Sequence, residues 1–421
     1  MSRLRIGFGE RVITPPLGVD LCGYGFYLGR RAESVLDDLK VRAVFLESGG
    51  RALLLASCDV IGFTVEKADA IRAEVAAAHG LPRESVLLAA THTHCGPATQ
   101  PLPGLGDVDP AYLKRLEALI AEAAAEAAAS PRPAEFSYAL EAVEPLGYNR
   151  RRNDFCGVDP VLKAAVFRTA ERKIYLLNYA CHAVVFGRRS HVSADWPGAV
   201  VREVEKSGDK AVFFQGFCGD VDPVLQMNRW GEGTVADLEM IGDLVRRRLE
   251  KAELYAVRVD DPGLAAAELR VDIPLTVYDK RTVEREAAAF RKKYAQFPGA
   301  ARFAAGWRKR ALAAAPAMRK APFVRNVPVQ ALSIGGLKVL ALPGEFFCEI
   351  GLKFQKTDGP LLPIGYANGN IGYVPLDRDF RDAADYACYC APMFYRLFPF
   401  KPGVERRFLA AGRKALRSVG A

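Results

Sequence analysis

Short apolar runs stopped by Gly, Pro, Asn or Asp recur along this chain, interleaved with longer stretches in which charges return every three or four residues. The first pattern reads as buried strands and the second as helices. Runs at about 41–47 and 52–58 predict two strands. Thr64 is a helix cap, the periodic stretch to about His79 a helix, and Gly80 its stop. Val86-Leu87-Leu88-Ala89-Ala90-Thr91 predicts the next strand, so 52–91 is a βαβ unit with parallel strands. An Ala-rich helix follows over about 110–130, ended by Pro131 and Pro133. A second strand–helix–strand unit is predicted from the run 174–181, a helix opened by Pro197 and reaching about 206, and the run 211–214. Helices are predicted at about 234–252 and 280–320, the latter interrupted near Pro298-Gly299. Strands are predicted again at 327–334, 337–342 and 361–366. Residues 5–25, with Gly7-Phe8-Gly9 and Gly23-Tyr24-Gly25, predict an irregular, turn-rich opening. No internal repeat is visible in the side chains.

The fold class expected is α/β: mixed β-sheets flanked by helices, built from βαβ units, in a single large domain. That domain covers 1–400, with 280–320 as a helical excursion able to act as a lid. Residues 401–421 form a basic C-terminal helix packed on the domain or trailing from it.

Composition narrows this little. Half of the 421 residues are apolar, ample for a large core. No apolar run reaches the ~18 residues of a membrane span, and no secretory signal follows Met1, so a cytoplasmic protein is expected. The nine cysteines are scattered without a Cys-x-x-Cys pair, which indicates neither a disulfide framework nor a zinc-finger type site and points to a reducing compartment. The net charge of +9 lies in short clusters such as Arg150-Arg151-Arg152, without interleaved aromatics. Nucleic acid is therefore not an expected partner.

The chemistry gathers at the strand exits, where open α/β sheets build their sites. His92 and His94 follow one strand, His182 another, and Asp195, Asp220, Glu345 and Tyr373 lie in the loops after others. Glu345, on Pro343-Gly344-Glu345 directly after an apolar strand, needs a partner if it is buried. Two histidines and a carboxylate from separate strands can hold a zinc ion with an open position.

In order along about 1–390, these motifs resemble the catalytic domain of the neutral/alkaline, non-lysosomal ceramidase family, and most of all its shorter single-domain bacterial relatives. The pieces are Ile13-Thr14-Pro15-Pro16, Thr91-His92-Thr93-His94-Cys95-Gly96-Pro97, Tyr148-Asn149-Arg150, Asn178-Tyr179-Ala180-Cys181-His182, Ser193-Ala194-Asp195, Gly219-Asp220-Val221-Asp222-Pro223, Pro343-Gly344-Glu345 and Asn368 through Val374. The resemblance implies a hydrolase with one zinc per chain, cleaving an amide (or ester) bond of a small or amphiphilic N-acyl substrate by metal-activated water. It implies His92, His182, Glu345 and Tyr373 as zinc ligands. His94 would be the donor or proton shuttle at the substrate, and Arg150 would hold the substrate or its oxyanion. Tyr386 would be a second site tyrosine, with Asp195 and Asp220 orienting histidines. Family members are usually secreted or surface-bound and carry a further immunoglobulin-like domain, so surface association is the alternative location. Asp222 stands where the family carries a serine discussed as catalytic, which excludes a serine nucleophile there.

Two other readings stay open. Cys95, Cys181 and Cys218 adjoin the site residues, and a thiolate beside histidine is a competent nucleophile. A non-catalytic binding protein with a degenerate site is the other. The sequence leaves the oligomeric state open.

Overall fold

The apolar run Arg51–Cys58 is a strand, as its composition predicts, and its arrangement recurs twice more along the chain. The computed structural model describes residues 4–25 and 29–420. In the first block, Arg5–Val12 pairs antiparallel with Lys40–Ser48, which pairs antiparallel with Arg51–Cys58. The helix Val65–Ala78 then crosses to Val86–Ala90, parallel to Arg51–Cys58, and the helix Pro110–Ala129 returns over the first two strands.

The second block has the same order. Glu135–Ala142, Val161–Arg168 and Lys173–Tyr179 run antiparallel, the helix Asp195–Glu205 crosses, Lys210–Gln215 adds parallel, and the helix Val235–Glu253 closes. So has the third: Leu264–Pro274, Phe323–Ile334 and Leu337–Ala341, then the helix Cys348–Asp358, the parallel strand Leu361–Ile364 and the closing helix Val404–Ser418. The chain is thus an α/β fold of mixed sheets flanked by helices. Its repeat is one of topology. The side chains share only the apolar pattern that any buried strand requires, and the connections between the first two strands differ widely in length. This is why the repeat cannot be seen in the sequence.

One face of each sheet enters a common core. Leu55 and Leu87 come from the first sheet, Leu176 and Phe214 from the second, and Leu332 and Ile364 from the third, all fully buried. Each such side chain contributes on the order of 1.5–3 kcal/mol. Buried polar side chains stitch the sheets in a ring. Ser57 Oγ donates to the Phe213 carbonyl at 2.6 Å, Asn178 Nδ2 to Pro363 at 3.1 Å, and Gln330 Nε2 to Val86 at 3.0 Å. The other face of each sheet takes helices, started by the caps Thr64, Asp109 and Thr234, the last in a reciprocal capping box.

The opening is not irregular throughout. Arg5–Val12 is a strand whose Gly7 and Gly9 resemble turn signals only in sequence. A Cβ on Gly9 would lie 2.2 Å from the Ala123 carbonyl oxygen, so the glycines allow the helix Pro110–Ala129 to press on the strand. The strands Glu135–Ala142, Val161–Arg168 and Leu264–Pro274 and the helix Cys348–Asp358 escape the sequence pattern; Leu264–Pro274 is only half buried along its length, which blurs the alternation. The Tyr148-Asn149-Arg150 segment is a short ribbon rather than a free loop: Gly147–Asn149 pairs antiparallel with Val221–Pro223. The excursion at 280–320 is two helices, Lys280–Lys293 and Ala300–Lys320, inserted between the first two strands of the third block. Among the described residues, no helix is long and apolar enough to cross a membrane.

Candidate metal centre

Each block sends one polar side chain to a common point at its strand exits. His92 comes from the first, His182 from the second and Glu345 from the third, with 0–2% of each residue exposed. His92 Nδ1 donates to the Ile61 carbonyl at 2.6 Å, and His182 Nδ1 to the Cys218 carbonyl at 2.7 Å. A carbonyl oxygen only accepts, so both Nδ1 atoms carry the proton and both Nε2 atoms face inward. There they meet the same carboxylate oxygen. Glu345 Oε2 lies 3.3 Å from His92 Nε2 and 3.2 Å from His182 Nε2.

With neutral imidazoles, three acceptors converge in a buried space, where the Tyr366 hydroxyl donates to Glu345 Oε2 at 3.5 Å and the two Nε2 atoms face only that carboxylate oxygen. Something positive must lie there, either protons or a cation. Burial pushes His92 below its ordinary pKa, while His182, against the cost of burial, is pushed up to about 10 by Cys218 and Glu345. A proton on His182 Nε2 and a bound cation are thus the two ways to satisfy the group. Burial acts against the Glu345 charge, but His92 and His182 outweigh it and hold the carboxyl well below the usual range. Donors 3.2–3.3 Å apart are spaced as neighbours about one small cation with bonds of roughly 2.0–2.1 Å. Imidazoles fixed by backbone carbonyls at the far nitrogen are the usual arrangement for metal ligation.

His94 joins the group. Ring-nitrogen positions of His92, His94 and His182 lie within 4.8 Å of one another, so the buried trio can hold a metal ion. Both ring nitrogens of His94 are buried without a partner. Burial pushes its pKa well down, with the two neighbouring histidines adding to the effect. Gly23 makes room for it, since a Cβ there would lie 2.4 Å from His94 Cγ. Tyr24 packs edge-on against His94 at 5.1 Å and against the half-exposed Trp230 at 5.6 Å, a line of rings from the imidazole to the surface.

Arg150 stands beside this group. It donates to Asp222 at 3.0 Å, to the Gly219 carbonyl at 2.9 Å and to the Tyr373 hydroxyl at 2.8 Å. The residue at the place of the family's serine is therefore the anchor of the arginine, and it also lies 3.8 Å from His182 Nδ1. Burial holds the Tyr373 phenol protonated. Tyr386, 42% exposed, packs edge-on to Tyr373 at 5.8 Å, on the solvent side.

Asp195 and Asp220 do not touch an imidazole. Asp195 accepts from the backbone amides of Val185, Phe186 and Trp196, fixing the loop after His182. Asp220 accepts from Cys348 N at 2.8 Å and Asn149 Nδ2 at 3.0 Å, joining the loops that carry Arg150 and Glu345. Both order backbone, as short carboxylates in loops commonly do.

Three site residues carry no signal in the sequence. Tyr395 donates to Glu345 Oε1. Tyr366 stacks on His92 with centroids 4.0 Å apart. Arg30 donates to the His94 carbonyl. Aromatic residues in loops after strands look like core, and only the fold shows otherwise. Cys95 and Cys181 are poor nucleophiles: burial pushes Cys95 up to about 12 and Cys181 well above its ordinary value.

A scan of protein-family models gives no match, and a search of curated protein sequences gives none either. Solved structures do match. The crystal structure of neutral ceramidase from Pseudomonas aeruginosa superposes with a TM-score of 0.75 at 17% identity, over 100% of this chain and 76% of that one. A structure described as ceramidase complexed with C2 matches with the same score and coverage at 16% identity. The chain shares its fold with these proteins.

Proposed function

We propose that this chain is a zinc-dependent hydrolase of an N-acyl amide, with the metal held by His92, His182 and Glu345. One observation carries the reading: two Nε2 lone pairs and a carboxylate oxygen face one another, buried, at 3.2–3.3 Å. Two imidazoles and a carboxylate suit zinc and leave it an open position. Bound there, zinc would polarise a substrate carbonyl and acidify a water molecule.

The chain's own residues would do the rest. Arg150, fixed by Asp222 and Gly219, donates to the Tyr373 hydroxyl, and Tyr373, which the family resemblance makes a fourth ligand, is in this reading a protonated donor where oxyanion charge would develop. Tyr395 holds the second carboxylate oxygen of Glu345 and keeps the first turned toward the histidines. His94, neutral and unpartnered, is placed to take up a proton and return it to the leaving amine. The line of Tyr24 and Trp230 gives an acyl chain an apolar path to His94. The fold neighbours are described as ceramidases, which supports long-chain N-acyl amides as the substrate class to test first.

The test is metal content by mass spectrometry for wild type and Glu345→Ala, with hydrolysis of N-acyl amides and matching esters in parallel. About one zinc per wild-type chain, lost in the variant together with amide hydrolysis, is the expected result. A wild-type protein that neither holds zinc nor takes it up ends the reading.

A further inference from the structure

Away from the strand exits, the helix Ala300–Lys320 and the segment 396–398 enclose a cleft of about 470 Å³. That is within the size range of small-molecule pockets. One wall is apolar, made by Trp307, Ala314, Met318 and Phe398. The other two lining residues of consequence are Arg310 and Arg396.

These arginines are unusual in this chain, where most find a carboxylate. The Nε and Nη2 atoms of Arg310 are buried and bond to nothing. Burial lowers its preference for the charge, and the nearby charge of Arg396 lowers it further, with no carboxylate acting in the other direction. Arg396 itself holds a left-handed backbone, φ 60°, which is unfavourable for a residue with a Cβ. Both arginines thus line the apolar cleft, at a cost in desolvation and repulsion to Arg310 and in backbone strain at the exposed Arg396. An anion between them removes the first two costs, and a carboxylate matches the guanidinium fork.

We propose that this cleft binds a long-chain carboxylate, its head between Arg310 and Arg396 and its chain along Trp307, Ala314, Met318 and Phe398. Arg396 adjoins Tyr395, which bonds to Glu345. The inference does not rest on the hydrolase reading, because binding is read without turnover.

The experiment is equilibrium dialysis of the full chain with radiolabelled dodecanoate. Wild type is compared with Arg310→Gln, Arg396→Gln and the double variant, with thermal melts to verify folding. Dodecanol and dodecyltrimethylammonium are the head-group controls, and vesicles containing phosphatidylglycerol are a separate arm. Saturable binding of dodecanoate, weakened at least tenfold in the double variant and absent for the cationic amphiphile, is expected. Should the arginine variants fail to fold, Ala314→Trp at an exposed cleft position blocks the chain and is expected to give the same loss. Equal binding by the variants, or equal binding of dodecanol, overturns the proposal. Arginine-dependent binding to vesicles without binding of free dodecanoate overturns it too, and assigns the charges to a lipid surface.

Discussion

His92 and Tyr366 each sit two residues past the end of a parallel strand, in the first and third blocks, and both take a left-handed backbone with φ 60° and 51°. Such strain persists where surrounding structure imposes it, and it collects at functional sites. Here it turns one ring onto the other and aims His92 Nε2 at Glu345. Asp222 acts differently, through Arg150. Asp222→Ser removes the ion pair at 3.0 Å and is expected to cut kcat by roughly 10–100-fold while the metal content stays at the wild-type value. A variant that loses metal instead would make Asp222 part of the metal's support. His94 gives a pH signature. Its pKa is pushed down in the fold by burial, so the stability it contributes is full above its ordinary pKa of ~6.5 and is lost as pH falls below it. The metal-free wild type is expected to lose more Tm between pH 7 and 5 than metal-free His94→Gln; parallel curves would refute this. At this scale the sequence is most informative where a polar residue follows an apolar strand within a few residues, as His92, His182 and Glu345 do. It is silent on Tyr395, Tyr366 and Arg30, whose loops have no period to read.

The elements follow from local rules where those rules act alone. Thr64, Asp109 and Thr234 start helices because each side chain satisfies backbone amides of the first turn. The runs 52–58 and 86–91 are legible as strands because they are buried on both faces and apolar except for Ser57 and Thr91. Arg5–Val12 is not, because close packing against a helix, rather than a turn, selects its glycines. Gly9→Ala is accordingly expected to destabilise by about 1–3 kcal/mol or more, since the added carbon meets backbone that cannot yield. Chemical denaturation checks it. A loss below about 0.5 kcal/mol would mean that the helix can move away.

Across the whole molecule, three blocks of one topology share a single core and a ring of side-chain hydrogen bonds. None can open its inner face without exposing the others. Leu176→Ala, in the second block, is expected to cost about 2–5 kcal/mol. Hydrogen exchange should show protected amides of all three sheets losing that same amount. Losses confined to the second sheet would show that the blocks open independently. The sequence conveys two βαβ units and hides this architecture, because the pairing that unites the blocks lies in the register of distant strands rather than in any local pattern. A symmetric trimer of separate single-block chains could offer the centre only three identical ligands, all imidazole or all carboxylate. Joined in one polypeptide, the blocks are free to differ, and the chain sets two imidazole nitrogens against one carboxylate oxygen, an asymmetry that identical subunits forbid.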